Sequence, residues 1–479
     1  MTLLPPDIDR EKGNAMDASP LIGSQDLHDL IRTYKTEHPY DVLTIDDAVS
    51  PAEQITAMVW EMAGRGRDEL LHFTNVTGLG VEVVTNMFAS RSRISRLLGA
   101  ESANLHETYE SRARQAVAPR LLTDGPVLAQ VAEGDAVDLE ALPMLRQFGT
   151  DRAPYISSGV VVAEDPATGG GNMSYHRAML HSPSSLATSL HSHGHLWRMA
   201  ADAVGRAEKL PVAMVIGGHP LFMLAASARL PASGDERDVA GGLMGEPLEV
   251  VRTPRYGIRV PATSDYVLEG VIEHDVEVEE GPFGEFTGYS SDRSTRTLFS
   301  VESVLQRDRP ILVNVIGGNS AEHLNLGRIP RESEMAWKLR DRFPSVTAVH
   351  YPNSGTHFHC YVGVDQRRAG EARQIMLALL GWDPYLKTVI AVDDDIDLTS
   401  DQEVLWALAT RFQPDRDSFV VDGLPGSPLD PSSSLDGTTS RLALDATRSP
   451  HFEAIRHELA DGAVQAAREI LSRQPEQRR

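Results

Sequence analysis

The chain is poor in cysteine and in positive charge. Cys360 is the only cysteine among 479 residues, which excludes an internal disulfide framework and favours a reducing, cytoplasmic environment. Lysine and arginine together number 45 against 68 aspartates and glutamates, so the formal net charge is −23. Nucleic acids and anionic membranes repel a protein of this charge, and we expect neither as a partner.

The sequence also lacks long apolar runs and the common nucleotide and metal motifs. No uninterrupted apolar run approaches the ~18–20 residues of a membrane span, and the N-terminus has no basic start followed by an apolar core. GxGxxG, GxxxxGK[ST], HExxH and CxxC are absent, which argues against Rossmann, Walker and common zinc sites. Residues 1–25, with their Pro, Asp and Gly, are predicted to be flexible.

Three regions follow this segment, as the length predicts for a multidomain α/β (α+β) protein. Residues 26–120 mix helix and strand patterns. Residues 121–325 hold short apolar stretches such as "PVAMVIGG" and "DYVLEGVIE" between turn-forming residues, which indicates a barrel or sandwich. In residues 326–479, from "RESEMAWKLRDRF" onward, helix-like segments again alternate with strand-like segments. This order predicts a second α/β domain with a terminal helix within 449–471.

Histidines concentrate between Gly169 and Trp197. The three histidine side chains in "HSHGH" occupy alternate positions, so on a strand they would point to the same face, and imidazoles bind transition metals. A solvated histidine-rich loop explains the pattern equally well. The five histidines are His176, His181, His191, His193 and His195.

Acidic residues supply two further candidates. Asp235, Glu236 and Asp238 could complete an oxygen-rich Mn²⁺ or Mg²⁺ site with Asn172, although a charged surface loop is the ordinary interpretation. In "EEGPFGEFTGY", Glu280 and Glu285 flank a bend with a proline and two glycines. Two carboxyl groups in one pocket repel each other, so one tends to keep a proton that it can donate, unless both are merely surface groups.

Several motifs, taken in order, carry a family resemblance. "NMSYHRAMLH", "GHLW", "EGPFGEFTGY", "KTVIAVDDDID" and "LDATR" resemble the UbiD family of reversible decarboxylases, which use prenylated FMN. The likeness extends from about residue 40 to 460. It implies an N-terminal α/β region, a central split β-barrel that binds the flavin, and a C-terminal α/β domain used in forming homodimers or larger homo-oligomers.

The resemblance also implies a cofactor anchor. Asn172, His195 and Glu236 match ligands of a Mn²⁺ ion, with K⁺ nearby, that holds the cofactor phosphate; His193 replaces His195 if the loop is shorter. Lys387, which the local pattern places at the solvent end of a strand, matches a lysine that contacts the phosphate. The other cofactor contacts would be Ser174, Tyr175, His176, Arg177 and Gly194.

Arg177, Glu280 and Glu285 match the family's catalytic set. By resemblance, Arg177 orients the carboxylate of an α,β-unsaturated or aromatic acid, Glu280 holds Arg177, and Glu285 returns the proton. A prenyl-flavin synthase would supply the cofactor. Two alternatives stay open at this point: a flavin-independent metal-dependent hydrolase, and a non-catalytic oligomeric relative that binds flavin.

Overall fold

The computed structural model describes residues 24–164, 169–190, 194–231, 234–291, 294–365, 368–434, 436–457 and 459–472. His191 and His193, and with them the alternative metal ligand, lie outside these ranges, as do residues 1–23 of the segment predicted to be flexible. The prediction is wrong for Gln25. Its amide is buried, donates to the Pro247 carbonyl over 2.9 Å and accepts from the Glu249 N–H, so this residue is fixed against the central region.

The N-terminal region is a small sheet with helices. In α1, the Asp26 carboxylate caps the first turn, and Leu27, Leu30, Ile31 and Tyr34 are buried along one face at the spacing of helical turns. The strands pair in the order β1-β2-β3-β16, and β16 comes from residues 311–313, far along the chain. Its elements are α1 (Leu27–Glu37), β1 (Val42–Ile45), α2 (Gln54–Gly64), β2 (Leu70–Phe73), β3 (Glu82–Thr85), α3 (Arg91–Leu97) and α4 (Leu105–Ala113).

The central region is built on an antiparallel sheet with strand order β6-β9-β10-β15-β14-β11-β7-β8, and β5 also pairs with β15. A smaller sheet has the order β13-β12-β4. The elements are β4 (Arg120–Leu121), β5 (Gln130–Glu133), β6 (Tyr155–Ile156), β7 (Val160–Glu164), β8 (Gly171–Tyr175), β9 (Ala178–Ser182), β10 (Ser185–Thr188), α5 (His195–Gly205), β11 (Leu210–Ile216), α6 (Pro220–Ala225), α7 (Glu236–Met244), β12 (Glu249–Arg252), β13 (Arg259–Pro261), β14 (Tyr266–Glu280), β15 (Ser294–Gln306) and β16 (Ile311–Val313).

Two strands of this sheet are much longer than the sequence indicated. β14 has 15 residues and β15 has 13, and they form a hairpin that carries the "EEGPFGEFTGY" bend at its end. The first half of β14 is buried on both faces, whereas its second half alternates between more buried and exposed residues as far as Glu280. Gly270 lies at a bulge in this pairing, and a Cβ there would come within 2.0 Å of the Ser300 carbonyl oxygen.

The C-terminal region is an α/β layer with strand order β17-β18-β19-β21-β20. The predicted boundary at 325/326 lies inside α8, because Ser320 caps the helix and Pro330 is accommodated within it. The terminal helix occupies only the second half of its predicted range. The elements are α8 (Ala321–Arg342), β17 (Val346–His350), β18 (His359–Val364), α9 (Glu371–Trp382), β19 (Thr388–Asp393), α10 (Asp401–Arg411), β20 (Ser418–Pro425), β21 (Thr438–Ala446) and α11 (Asp461–Ser472).

The hydrophobic cores separate the C-terminal region but not the first two regions. One hydrophobic cluster joins the N-terminal helices to the central sheet, and separate clusters lie on the two faces of the C-terminal sheet. Among the described residues, none of the helices combines the length and the apolar character needed to cross a bilayer.

Gly270→Ala tests how tightly the long hairpin is paired. The added methyl group would collide with a backbone carbonyl and force β14 and β15 apart, so we expect a loss of about 1–3 kcal/mol in the free energy of unfolding. The measurement is chemical denaturation followed by circular dichroism. Gly64→Ala, at the end of α2 where a Cβ meets no atom within 4 Å, is the control. Equal stability of the two variants would contradict the close approach.

Candidate active site

The bend after β14 is held in place by groups on both sides. Glu280, the last residue of β14, is completely buried, and Glu285 is 8% exposed. Gly281 has a φ of +77°, a left-handed conformation that glycine adopts without strain. Across the bend, the buried Asp151 carboxylate accepts hydrogen bonds of 3.0 Å from the N–H groups of Gly284 and Phe148. These contacts fix the backbone of the bend, and with it the place from which the Glu285 side chain extends.

Arg177 lies between the two glutamates. It occupies the short connection from β8 to β9, and its Nε and Nη2 donate to the two Glu280 carboxylate oxygens, each over 2.9 Å. Its Nη1 donates to Glu285 Oε1, and its guanidinium lies 4.9 Å from the centre of the Phe283 ring. The bidentate contact with Glu280 fixes both the position and the plane of the guanidinium.

Tyr155 completes the surroundings of Glu280. Its hydroxyl donates to Glu280 Oε1 over 3.0 Å and accepts from the Gly281 N–H over 3.2 Å. Burial, and then the charge of Glu280, raise the pKa of Tyr155, so the phenol keeps its proton and remains a donor. Glu280 thus faces the Arg177 guanidinium, a neutral donor and, 3.9 Å from its Oε2, the Nε of Arg296.

Glu285 is the less constrained carboxyl group. Arg177 is the only described side chain that hydrogen-bonds to it, through Oε1. Within the described ranges no donor reaches Oε2, and the side chain keeps a small exposed area. The repulsion expected between two neighbouring acids is offset by the guanidinium between them, and Glu285 retains an oxygen that can carry a proton.

A second buried carboxylate lies near Asn172. Glu236 is the first residue of α7, is 4% exposed, and accepts a 2.8 Å hydrogen bond from the Met173 N–H, next to Asn172 on β8. Asn172 is equally buried, and its Nδ2 donates to Ser174 Oγ over 3.1 Å. The two predicted metal ligands are thus brought together by α7 packing against β8.

The electrostatics at Glu236 favour a bound cation. Burial raises the pKa of Glu236 to about 7, because the carboxylate is removed from water. Among the described residues, no lysine, arginine or histidine forms an ion pair with it. The neighbouring acids differ: Asp235 pairs with the buried Arg237, and Asp238 is half-buried in the first turn of α7.

His195 begins α5, which contacts β8. Its ring is partly buried, and burial followed by the charge of Arg198 lowers its pKa, which favours the neutral imidazole that binds metals. Gly194 precedes α5 without a side-chain cap on the helix, so the first N–H groups of α5 suit an anion. In the described part of the chain, no three His, Cys, Asp or Glu side chains are grouped as a metal site, whereas the predicted set includes an asparagine.

The remaining predicted cofactor contacts have other partners. The His176 ring bonds to Ser174 Oγ and to the Ser189 carbonyl, each over 2.9 Å. The Tyr175 hydroxyl donates to the Met223 carbonyl over 2.9 Å. These contacts order β8, which holds Asn172, and the connection after it, which holds Arg177.

Lys387 has its polar contacts within the C-terminal region. Its Nζ is 2.8 Å from Asp430 Oδ2 and 2.6 Å from Ser432 Oγ. Its backbone N–H donates to the carbonyl of Phe358, whose ring lies 5.4 Å from that of Phe286, beside Glu285. Lys387 is therefore linked to the Glu285 bend through Phe358 and Phe286, and its ammonium group is paired with Asp430.

Two residues at this site were missed by sequence reasoning. Tyr155 and Asp151 contact residues 125 and 133 positions away, at Glu280 and Gly284 respectively. No local pattern around either residue predicts a contact at that distance.

Comparisons with known proteins agree with this geometry. Three domain models of 3-octaprenyl-4-hydroxybenzoate carboxy-lyase (UbiD) match in order: the N-terminal domain at residues 35–113, the Rift-related domain at 120–320 and the C-terminal domain at 324–446. The anhydromevalonate phosphate decarboxylase of Archaeoglobus fulgidus is 34% identical over 371 residues, 77% of this chain and 83% of that protein. Its counterpart in Methanosarcina mazei is 33% identical over 377 residues, 78% and 86% of the two chains.

The fold has solved counterparts. HmfF, a UbiD-class enzyme from Pelotomaculum thermopropionicum in complex with FMN, superposes with a TM-score of 0.86 at 30% identity and covers 92% of this chain and 98% of its own. An evolved dimeric form of HmfF in complex with prenylated FMN superposes with a TM-score of 0.82 at 28% identity. The match covers 92% of this chain and 100% of that chain. The predicted fold class and family resemblance are confirmed. The chain belongs to the UbiD family of carboxy-lyases and is a decarboxylase of that family.

Proposed function

We propose that the protein removes CO₂ from an α,β-unsaturated or aromatic carboxylic acid with prenylated FMN as cofactor. The observation that carries the proposal is the Arg177 guanidinium, which is shared between two buried acids. Glu280 is tightly held by its partners, whereas Glu285 is held only by Arg177 among the described side chains. The FMN and prenylated FMN complexes of the structural neighbours support the choice of cofactor. Relatives named decarboxylases of anhydromevalonate phosphate support a small-molecule acid as substrate.

Asn172, Glu236 and His195 would hold the cofactor phosphate through Mn²⁺, with K⁺ nearby. The fit rests on the donor set: an amide oxygen, a carboxylate without a basic partner among the described residues, and a neutral imidazole at an uncapped helix N-terminus. Lys387 would contact the phosphate after leaving Asp430. Prenylated FMN supplies the electron sink that stabilises the charge left on carbon when CO₂ departs.

The protein's own groups then orient the acid and move one proton. Arg177 binds the substrate carboxylate, and Glu280 with Tyr155 holds the guanidinium in one plane. Breaking the C–C bond releases CO₂ and leaves an electron pair on the substrate carbon. Glu285 donates its proton to that carbon, and water is excluded because the surrounding side chains are buried.

We also propose that the protein assembles as a homodimer or larger homo-oligomer and receives its cofactor from a prenyl-flavin synthase. The large apolar side chains of Trp337 and Trp382 are exposed on α8 and α9 of the C-terminal region, where they are available for self-association. A dimeric form of HmfF among the neighbours supports this assembly.

Glu285→Gln tests the proton donor. The amide keeps the size of the side chain but cannot donate the acidic proton, so we expect kcat to fall by about 10²–10⁴ with the flavin still bound. The measurement is CO₂ release by the reconstituted enzyme, with the flavin spectrum as the check on loading. Glu279→Gln, which removes the same charge from an exposed neighbour on β14, is the control. Turnover like the wild type in Glu285→Gln would remove Glu285 from the mechanism.

Glu236→Gln tests the cation site in two ways. Folding raises the pKa of Glu236 from 4.5 to about 7, so its ionisation opposes folding increasingly as the pH rises through that interval, and fully above it. In metal-free protein at pH 8, the variant should therefore be more stable by about 3 kcal/mol, with little difference at pH 4. Denaturation at both pH values measures this.

The same variant should lose Mn²⁺, because the amide removes the anionic ligand. Mn²⁺ should stabilise the wild type, and more so at pH 8 than at pH 6, where the metal must displace a proton. Metal content and the Mn²⁺-dependent rise in Tm are the readouts. Asp238→Asn, a half-buried acid two residues along α7, is the control. An equal Mn²⁺ response in the wild type and Glu236→Gln would contradict the assignment.

A further inference from the structure

A lysine, a histidine and a glutamate form a chain of contacts in the N-terminal region, and the proposed reaction uses none of them. We call them the Lys35 triad: Lys35 in the last turn of α1, His72 in β2, and Glu82, the first residue of β3. Lys35 Nζ contacts His72 Nδ1, and His72 Nε2 lies 2.6 Å from Glu82 Oε2. Enzymes activate nucleophiles with this order of groups, in which a third residue orients the base.

The pairing of β2 with β3 positions the triad. His72 lies opposite Val84, and Glu82 precedes Val84 by two residues, so these side chains point to the same face of the sheet. Helix α1 packs on that face, because Ile31 and Val84 belong to one hydrophobic cluster. Lys35 follows Ile31 by four residues and therefore lies on the same side of α1, within reach of His72.

The contact with Glu82 determines which nitrogen of His72 carries the hydrogen. An ionised carboxylate can only accept a hydrogen bond, so Nε2 is the donor and Nδ1 keeps its lone pair. That lone pair faces the ammonium of Lys35, which can only donate. Burial, and then the charge of Lys35, lower the pKa of His72, so the imidazole is mainly neutral at pH 7 and can accept a proton.

Lys35 differs from the other described lysines in its partner. Each of the others pairs with a carboxylate: Lys209 with Glu273, Lys338 with Glu334 and Lys387 with Asp430. Lys35 is hydrogen-bonded to an imidazole instead. Burial lowers the pKa of Lys35, although the charges of Glu82 and Asp46 act in the opposite direction. A lower pKa leaves more of the amine uncharged, and the uncharged amine is the nucleophile.

The triad lies at the protein surface, with its base shielded. Lys35 is partly buried, and its neighbours Thr36 and Glu37 are exposed. The side chain of Glu82 is 47% exposed, whereas that of His72 is only 8% exposed. A small molecule in solution can therefore approach Lys35 Nζ, while the imidazole behind it is held in one orientation.

We propose that Lys35 is a reactive lysine that takes an acyl group from a thioester or an acyl phosphate, with His72 as the general base. The ammonium passes one proton to His72, which gives it to water. The neutral amine then attacks the carbonyl carbon of the donor, and its second proton leaves by the same path. The C–S or C–O bond breaks and releases a thiolate or a phosphate. The product is an amide at Nζ, and the charge of Lys35 is lost.

The test measures the acylation rate of each lysine in the full-length protein. The protein is incubated at pH 8 with S-acetyl-N-acetylcysteamine, an uncharged thioester, and separately with acetyl phosphate, and peptide mass spectrometry follows acetylation with time. With at least one donor, we expect Lys35 to react about tenfold faster than Lys209 or more, because a positioned base assists the proton transfer. A preference confined to one donor identifies the class of donor.

Two substitutions test the relay. His72→Gln removes the base and should lower the rate at Lys35 to that at Lys209. Glu82→Gln should lower it about tenfold, because an amide can donate to Nε2 and so place the ring hydrogen on Nδ1. Loss of the Glu82 charge alone would leave more of the amine uncharged and raise the rate, so the direction of the change is decisive. Glu82 is largely exposed, so its variant gives the answer even if His72→Gln does not fold.

His181→Gln, which replaces an exposed histidine on β9, is the control and should leave the rate at Lys35 unchanged. Equal rates at Lys35 and Lys209 with both donors would mean that Lys35 is not activated. A fast reaction at Lys35 that persists in His72→Gln, or that becomes faster in Glu82→Gln, would overturn the role of His72 as the base.

Discussion

The ion pair between Arg177 and Glu280 is the interaction on which the rest of the site depends. A fully buried carboxylate loses its hydration, and losing its partner would cost about 3–5 kcal/mol, so both groups must be fixed by the fold. The end of β14, the Tyr155 hydroxyl and the bend anchored by Asp151 all serve this requirement. Glu285 can then share the same guanidinium while its Oε2 has no hydrogen-bond donor among the described residues.

Two buried glutamates of the site are stabilised in opposite ways. Glu280 is neutralised by an arginine from the chain itself, whereas Glu236 has only backbone donors and a raised pKa. The first arrangement creates a rigid anchor that needs no ligand. The second leaves a negative charge that a metal ion can offset. Under the proposed function, the first arrangement would suit the substrate carboxylate, and the second a cation with the phosphate that it carries.

Sequence reasoning succeeded where a local pattern decides the outcome. The mixed helix and strand patterns after residue 26, and the "EEGPFGEFTGY" bend, are features that short stretches determine. It failed where distant residues decide: β16 joins the N-terminal sheet, α8 continues through Pro330, and Tyr155 reaches Glu280 across 125 positions.

The most direct test of the account is the identity of the molecule that the protein binds. The protein would be purified after co-expression with a prenyl-flavin synthase and supplied with Mn²⁺ and K⁺, and its absorbance spectrum and the mass of the bound cofactor would be measured. The account predicts prenylated FMN, with Mn²⁺ in equal amount. Protein that binds the metal but no flavin would contradict it.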